Sequence, residues 1–223
     1  MIGTGDALLL VDLQQYYLDP ESDFYRYSEH YHRGAMRYIH QRWLSTVQPN
    51  VQQLQAAFRA AGAPLIYLRL CGSDPERSDL HPFFQESFRD GQERGYADVY
   101  PLADQPAAAV AFEIAPTAGE AVFAKTSFSG FHSGGLVDYL RETPAIQRLV
   151  VGGLATSQCV ETTARDASDY GYRLVMIEDA MADYSETAHM ASRFASQAVC
   201  GGDVRSTREY LHEPERFSLS SKK

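Results

Sequence analysis

Short apolar runs alternate with longer amphipathic stretches along most of the chain. Residues 7–11 are continuously apolar, which is typical of a central parallel strand buried on both faces. Similar apolar or β-branched runs predict further strands, and a short final strand closes the series. These further strands are predicted at residues 65–70, 121–124, 149–152, 173–177 and 204–207.

The stretches between these runs have helical character. Asn50 and Ser185 are suitable N-caps for two of the helices, and Gly62 lies just past the end of the first. Strands that alternate with helices indicate an open parallel α/β sheet with right-handed crossovers. The predicted helices cover residues 50–61, 134–141, 160–170 and 185–199.

Two regions depart from this alternation. Residues 71–120 are rich in Pro, Asp, Gly and Ala and weakly periodic, so we expect long loops there. We interpret residues 13–48 as an aromatic-rich helical insertion that packs on the core or on a partner subunit. A lid that shapes a pocket is the alternative, because aromatic side chains form rigid walls with polar tips. His30 and His32 lie two positions apart and do not face each other on a helix, which opposes a metal site there.

Composition excludes several functions. The 223 residues are enough for one domain, residues 1–223, with residues 217–223 as a flexible tail. A formal net charge of −9 argues against nucleic acid or an anionic membrane as a partner. We expect no signal peptide and no membrane span, because the apolar runs are too short. Three cysteines without a CxxC spacing favour a reducing compartment, so we expect a cytoplasmic protein that acts on a small molecule.

Cys159 lies where a predicted strand turns into a predicted helix. Free N–H groups and the macrodipole at a helix N-terminus stabilise an anion, which predicts a lowered thiol pKa. The same N–H groups can bind an oxyanion opposite the sulfur. A lone cysteine is more often a small buried hydrophobe, and we interpret Cys71 and Cys200 as structural or incidental because neither begins a helix.

Two further reactive side chains follow predicted strands. Asp12 follows residues 7–11 and Lys125 follows residues 121–124, so both are expected at the carboxyl edge of the sheet beside Cys159. Alone, an aspartate there is often a turn former and a lysine is often solvated. Together the three predict a nucleophilic triad for acyl transfer, in which Asp12 takes the thiol proton and Lys125 stabilises the thiolate.

The order and spacing of several motifs over residues 7–207 resemble those of the isochorismatase-like cysteine hydrolase family. The most specific is the run GLATSQCVETTARDA at residues 153–167. The others are LVDLQ at residues 10–14, Lys125 with SGF at residues 129–131, and EDA at residues 178–180. The resemblance therefore covers nearly the whole chain.

This resemblance implies a single isochorismatase-like hydrolase domain, a Rossmann-like three-layer α/β/α sandwich with a mostly parallel central sheet. It assigns Cys159 as the nucleophile, Asp12 as general base and then acid, and Lys125 as the charge partner of Asp12. It also implies a cis peptide bond between Leu154 and Ala155, and an oxyanion hole formed by the N–H groups of Ala155 and Cys159. No cofactor is implied, and members of the family commonly form homodimers or homotetramers.

Metal ligands and the cysteine distinguish branches of this family. Members that hydrolyse nicotinamide carry an Asp-x-His metal motif directly after the second strand, where this chain has LCGS at residues 70–73. Asp79 and His81 come about nine residues late, so we predict no metal. The retained Cys159 favours hydrolysis of a non-peptide C–N bond in a small carboxamide, N-carbamoyl or ureido compound.

The resemblance also places Gln14, Tyr17, Phe128 and Phe131 in the substrate pocket. Core packing is an equally good interpretation of the aromatic residues among them. Arg69, at the end of the second predicted strand, is a candidate either for binding a substrate carboxylate or for a structural ion pair.

Two other functions stay open. In a hydrolase of isochorismate-like vinyl ethers, Asp12 would protonate the substrate and Cys159 would be a bystander. A non-catalytic α/β binding scaffold is the second, but the chain has neither a GxGxxG motif nor a P-loop.

Overall fold

Six parallel strands form one sheet at the centre of the computed structural model, which describes residues 2–199 and 202–213. The strands are β1 (Asp6–Val11), β2 (Leu65–Leu70), β3 (Ala121–Lys125), β4 (Arg148–Gly153), β5 (Arg173–Met181) and β6 (Asp203–Arg205). They pair in the order β3-β2-β1-β4-β5-β6, each parallel to its neighbour, which confirms the predicted α/β fold class.

Strand β1 is buried along its whole length because both faces of the sheet are covered. Leu8 and Leu10 belong to the apolar cluster on one face, whereas Ala7, Leu9 and Val11 belong to the cluster on the other. Successive side chains of a strand point to opposite faces, so a strand in the middle layer must be apolar throughout. The continuous apolar run at residues 7–11 is thus explained by the three-layer arrangement.

Within the described residues, nine α-helices connect and flank the strands. They are α1 (Gln15–Leu18), α2 (Asp23–Tyr31), α3 (Ala35–Arg42), α4 (Gln48–Ala61), α5 (Pro82–Glu93), α6 (Leu136–Glu142), α7 (Glu161–Asp169), α8 (Glu186–Val199) and α9 (Thr207–His212). Two π-helical turns, Trp43–Val47 and Thr156–Val160, lead directly into α4 and α7. Two short 3₁₀ turns occupy Pro106–Ala108 and Phe112–Ile114.

The helix predicted at residues 50–61 exists, but it begins earlier than predicted. α4 continues the preceding π-helical turn, so Asn50 lies inside the helix rather than at its N-cap. The Asn50 amide instead donates to the carbonyl oxygens of Thr46 and Asp179, at 2.9 and 3.3 Å. Gly62 ends the helix as predicted, in the left-handed conformation with φ 64°.

Residues 71–120 include long loops as predicted, but they also contain α5, a helix that the sequence did not predict. Phe84 and Phe88, one helical turn apart, are buried in the apolar cluster and hold this helix against the core. The apolar pattern that these two residues form is short, and the residues around them are mostly polar, so the sequence did not indicate a helix.

The last strands also differ from the prediction. β5 continues four residues beyond residue 177, because the polar pair Glu178 and Asp179 interrupts the apolar pattern without ending the strand. β6 stops at Arg205, and Ser206 is the N-cap of α9, a helix that the sequence did not predict. Ser206 and Glu209 form a capping box, in which Ser206 Oγ accepts from Glu209 N at 3.2 Å.

Residues 13–48 fold into α1, α2, α3 and the first π-helical turn, which confirms their predicted helical character. They pack on the protein's own core, while a subunit contact there stays a prediction. No helix in the described part of the chain is long and apolar enough to cross a membrane. Cys200 and residues 217–223 lie outside the described residues. The core residues contributed by residues 13–48 include Tyr16, Tyr17, Phe24, Met36, Ile39 and Trp43.

Gly153, at the end of β4, provides a test of the close approach between the two central strands. It has φ 136°, and an added Cβ would overlap the main-chain carbonyl oxygen of Val11. Gly171 also has a positive φ, 90°, but nothing lies within 4 Å of a Cβ added there.

We expect Gly171→Ala to lower the free energy of unfolding by about 1 kcal/mol through backbone strain. Gly153→Ala should lower it by about 2 kcal/mol more, since β1 and β4 must separate. Urea unfolding measures both, and equal losses would contradict the close approach.

Candidate active site

The carboxyl ends of β1 and β4 meet at the point where the strand order reverses. The chain leaves β1 towards β2 on one side and leaves β4 towards β5 on the other. Val11 and Gly153, the last residues of the two strands, are paired. A crevice opens at such a reversal, and it is where open α/β sheets bind their ligands.

The three predicted catalytic side chains come together in this crevice. Asp12 follows β1, Lys125 ends β3, and Cys159 lies in the π-helical turn before α7. The Lys125 ammonium Nζ lies 2.8 Å from Asp12 Oδ2 and 3.3 Å from Cys159 Sγ. Nζ also donates to the Ser127 carbonyl oxygen at 2.8 Å, so the ammonium has three polar neighbours. Asp12, Lys125 and Cys159 are 1%, 0% and 6% exposed, so the cluster is closed to bulk water.

The main chain at Asp12 turns sharply where β1 ends. Asp12 has φ 53°, in the left-handed region that is uncommon for residues other than glycine but is tolerated by aspartate. Its N–H still donates to the Leu68 carbonyl oxygen on β2 at 3.0 Å, and its own carbonyl accepts from Gln14 N at 3.0 Å. The turn therefore holds the Asp12 main chain while its carboxylate reaches Lys125.

Burial raises the pKa of Asp12 above its ordinary value, and the charge of Lys125 offsets only part of this effect. A carboxyl group with a raised pKa is a stronger base when it is ionised. Burial opposes the charge of Lys125, but attraction to Asp12 and Cys159 outweighs it and raises the pKa of Lys125. Neither carboxylate oxygen of Asp12 has a hydrogen-bond partner among the described residues, so the ion pair with Lys125 is the contact that holds this carboxylate.

The thiol of Cys159 differs from the prediction of a lowered pKa. Burial raises the pKa of Cys159 to about 12, and the neighbouring Asp12 opposes the lowering by Lys125. The field of a helix N-terminus is worth only about 1 kcal/mol and does not replace the lost hydration of a thiolate. The resting group is a thiol at neutral pH, and it requires a base before it can attack a carbonyl.

The Leu154–Ala155 peptide bond that precedes the nucleophile turn is cis, in agreement with the resemblance. Ala155 is 1% exposed and lies directly before the turn that carries Cys159. The oxyanion hole formed by the N–H groups of Ala155 and Cys159 stays a prediction.

The segment after β5 holds the nucleophile turn in place. Thr156 N donates to the Ala182 carbonyl oxygen at 2.9 Å. Ser157 N donates to Asp183 Oδ2 at 2.6 Å, which provides a carboxylate acceptor for a free N–H at the start of the turn. The position of Cys159 therefore depends on contacts from a strand that carries none of the three reactive groups.

A buried histidine in α8 supports the same turn. Burial, with help from Arg42, lowers the pKa of His189 to about 4, so its ring is neutral at neutral pH. His189 Nε2 lies 3.3 Å from Arg42 Nη2 and accepts from it, which leaves the proton on Nδ1. Nδ1 then donates to Thr156 Oγ1 at 2.8 Å, and Oγ1 donates to the Ala182 carbonyl oxygen at 3.0 Å.

A cavity of about 470 Å³ opens beside the nucleophile turn, and its volume is typical of a small-molecule site. Ser157 and Gln158, the two residues before Cys159, form part of its wall. Residues 13–48 both pack on the core and shape this cavity, which supports the lid interpretation of that segment. The remaining lining residues are Phe24, Tyr27, Ser28, Tyr31, His32, Phe83, Ser87, Tyr100, Asp183, Tyr184 and Ala188.

Gln14 and Arg69, two of the predicted pocket residues, are engaged with main-chain groups. Gln14 Nε2 donates to the carbonyl oxygens of Leu70 and Ala108 at 3.2 and 2.9 Å, and its Oε1 accepts from Leu70 N at 2.7 Å. Arg69 Nη1 donates to the carbonyl oxygens of Ala103 and Ala108, both at 3.4 Å. Neither side chain lines the cavity, so the structure does not bring them to it.

None of the three predicted aromatic pocket residues lines the cavity. The Tyr17 hydroxyl donates to the Tyr184 hydroxyl at 2.6 Å, so Tyr17 supports a lining residue. Phe128 packs 5.6 Å from the ring of Phe83, another lining residue. Phe131 is buried in the same apolar cluster as Cys159.

Asp79 and His81, the candidate metal ligands, have structural partners. Asp79 Oδ2 accepts from Ser73 N at 2.9 Å, and His81 Nδ1 accepts from Phe83 N at 3.2 Å at the start of α5. Among residues 2–199 and 202–213, no group of three or more His, Cys, Asp or Glu side chains has an arrangement that could hold a metal ion. Cys71 is buried, and burial raises its pKa.

Asp183 and Tyr184 contact the site but were not predicted from the sequence. They follow β5, and polar residues after a strand mark the ligand edge of a parallel sheet. Their place after the strand was not recognised, because the predicted strand stopped at residue 177, four residues before the observed end at Met181.

Comparisons with known proteins identify relatives of the chain. The sequence model of the isochorismatase domain matches residues 6–209. A solved isochorismatase family protein from Desulfovibrio vulgaris superposes with a TM-score of 0.75, covering 96% of this chain and all of that one. The two sequences are 21% identical, so this likeness concerns the fold alone.

Two curated relatives match a shorter part of the chain. The ureidoacrylate amidohydrolase of Variovorax paradoxus is 46% identical over 68 residues, which is 30% of this chain and 27% of the relative. The maleamate amidohydrolase of Pseudomonas putida is 30% identical over 99 residues, which is 44% of this chain and 46% of the relative. The chain thus spans less than half the length of each of these two relatives.

The ion pair at the centre of the site gives a stability test. Asp12→Asn and Lys125→Met should each lower the free energy of unfolding by about 3–5 kcal/mol, because each leaves a buried partner uncompensated. The double variant should cost less than the sum of the two, with a coupling of about 2 kcal/mol in urea unfolding. The exposed pair Asp138 and Arg141 serves as the control, where the same substitutions should show no coupling. Additive losses at Asp12 and Lys125 would refute the buried pair.

The raised pKa of Cys159 gives a spectroscopic test. A folded pKa of about 12, above the ordinary thiol value of 9.0, means that the group stays protonated until strongly alkaline pH. We expect the ultraviolet thiolate absorbance of the wild type minus that of Cys159→Ala to stay at zero as the pH rises through 9.0. The subtraction removes the other two cysteines. A thiolate signal near neutral pH would instead support the acidic thiol that the helix position alone predicts.

Proposed function

The chain belongs to the isochorismatase family, and on that premise we propose that it hydrolyses a non-peptide C–N bond through a covalent intermediate on Cys159. The substrate is a small carboxamide, N-carbamoyl or ureido compound. The observation that carries this proposal is the contact of one buried ammonium, Lys125 Nζ, with both the Asp12 carboxylate and the Cys159 thiol. Such a set joins a nucleophile, a base and a fixed charge in one closed site.

The first step forms the bond between Cys159 Sγ and the carbonyl carbon of the substrate. The thiol proton passes to Asp12, whose raised pKa suits it to accept the proton during attack. The carbonyl oxygen becomes an oxyanion, which the N–H groups of Ala155 and Cys159 are proposed to bind.

Collapse of this intermediate breaks the C–N bond. Asp12 returns its proton to the leaving nitrogen, so that ammonia or an amine departs and a thioester remains on Cys159. Asp12 then takes a proton from water, and the hydroxide attacks the thioester carbon. The thioester C–S bond breaks, Cys159 regains its proton, and the acid product leaves.

Lys125 keeps its charge through the cycle. Its pKa is raised by its neighbours, so it serves as a fixed charge rather than a proton donor. It positions Asp12 Oδ2 at 2.8 Å and lowers the energy of the thiolate that forms 3.3 Å away.

Vinyl-ether hydrolysis is a second candidate, and the raised pKa of Asp12 favours it. A carboxyl group that holds its proton at higher pH is a suitable acid for protonating such a substrate. In that reaction Cys159 forms no covalent bond. A non-catalytic scaffold, in contrast, offers no reason for burying three ionisable groups together, because such burial costs stability.

Trapping the intermediate distinguishes these functions. We expect Cys159→Ala to lower kcat for ammonia release from a panel of carboxamides and ureido compounds by about 10³-fold or more, since the nucleophile is lost. Hydroxylamine should convert the thioester of the wild type into a hydroxamate, with a transient acyl adduct on Cys159 by mass spectrometry.

Cys71→Ala is the matched control, and it should keep the wild-type rate within about threefold. Two results together would overturn the thioester mechanism in favour of the second candidate. Cys159→Ala would be fully active on an isochorismate-like vinyl ether, and the wild type would form no acyl adduct on Cys159 with any of the amides.

A further inference from the structure

The cavity beside Cys159 has no lysine or arginine among its described lining residues. Its one carboxylate, Asp183, is 1% exposed and accepts main-chain N–H groups from Ser157 and Tyr184 at 2.6 and 2.8 Å. Both oxygens of Asp183 act as acceptors, so this side chain offers no positive charge to a ligand. An anionic group on a ligand has no opposite charge to pair with on these walls.

Two basic groups near the cavity are already paired with carboxylates. Arg94 lies 5.2 Å from the ring centroid of Tyr31, but its Nε donates to both carboxylate oxygens of Asp90, at 3.0 and 3.1 Å. Lys125 forms an ion pair with Asp12. Arg69 has no carboxylate partner and its Nε has no hydrogen-bond partner among the described residues, but its side chain is not part of the cavity lining. His32, an exposed residue, is the one histidine among the described lining residues.

Aromatic residues make up much of the cavity wall, namely Phe24, Tyr27, Tyr31, Phe83, Tyr100 and Tyr184. Tyr27 donates its hydroxyl to Asp90 at 3.0 Å, and Tyr31 donates to the same carboxylate. The Tyr184 hydroxyl accepts from that of Tyr17 at 2.6 Å. Aromatic rings favour planar apolar ligands through stacked or edge contacts.

We propose that the substrate is an uncharged amide or urea that carries an aromatic or similarly planar apolar group, and that the cavity selects against substrates bearing a carboxylate. This inference rests on the proposed function and specifies its substrate class. The two curated relatives are named for carboxylate-bearing compounds, so the walls described here point to a different choice. A carboxylate in this cavity would lose water without gaining a cation.

Matched amides test the charge preference. 4-Methylbenzamide and 4-carbamoylbenzoate share the ring and the reacting amide, and differ in a methyl group against a carboxylate. Phenylurea and 4-ureidobenzoate form a second pair. We expect kcat/KM for ammonia release to be at least about 30-fold higher for the neutral member of each pair. Equal rates, or a preference for the anion, would overturn the inference.

A binding measurement separates this inference from the proposed function. Calorimetric titration of Cys159→Ala with the same compounds gives Kd without turnover, and the neutral members should bind at least about 30-fold more tightly. If the wild type releases no ammonia from any amide, the proposed function fails, while the order of Kd values still decides the charge preference. Tighter binding of the anions would reject the preference even if amide hydrolysis is established.

Two variants locate the selectivity in the cavity. Ser87→Lys places a cation on the cavity wall. It should lower the ratio of kcat/KM for the neutral substrate to kcat/KM for the anionic substrate by about tenfold. Phe83→Ala removes a lining ring and should raise KM for the aromatic amides about fivefold, whereas Phe112→Ala, an exposed ring outside the cavity, should not. A ratio unchanged in Ser87→Lys, or equal effects of the two phenylalanine variants, would place the selectivity elsewhere.

Discussion

The site depends on one buried ion pair, the ammonium of Lys125 against the carboxylate of Asp12. Removing two opposite charges from water is costly, and the cost is offset only when the geometry is good and the remaining donors have acceptors. Lys125 meets this condition because its Nζ contacts the Asp12 carboxylate and donates to the Ser127 carbonyl oxygen and the Cys159 sulfur. The pair joins the carboxyl ends of β1 and β3, with β2 between them, so it depends on the register of these three strands.

Much of the fold was predictable, because strands in a middle layer must be apolar along their whole length and the chain carries that pattern plainly. Where polar residues enter an element, the prediction was wrong. Glu178 and Asp179 hide the second half of β5, and the polar stretch around Phe84 and Phe88 hides α5. In both cases the tertiary environment, rather than the local pattern, decides the conformation.

The positions of the three reactive residues at strand ends identified them in the sequence, but the directions of their pKa shifts could not be predicted from it. A sequence shows that Cys159 begins a helix, and it does not show that the thiol lies out of reach of water. Burial reverses the sign that the helix field alone predicts for its pKa. The supporting residues Asp183 and His189 were missed for a related reason, since their role comes from contacts across the sheet edge that no spacing along the chain reveals.

The protonated state of the Cys159 thiol bears on how the protein withstands oxidants. Peroxides attack thiolates, and a thiol of high pKa in a closed site reaches the sulfenic acid slowly. In the proposed mechanism, Cys159 becomes reactive only when a substrate carbonyl lies against the sulfur and Asp12 removes the thiol proton, so the nucleophile is spared between turnovers. A cysteine with a permanently acidic thiol would react more readily with small electrophiles.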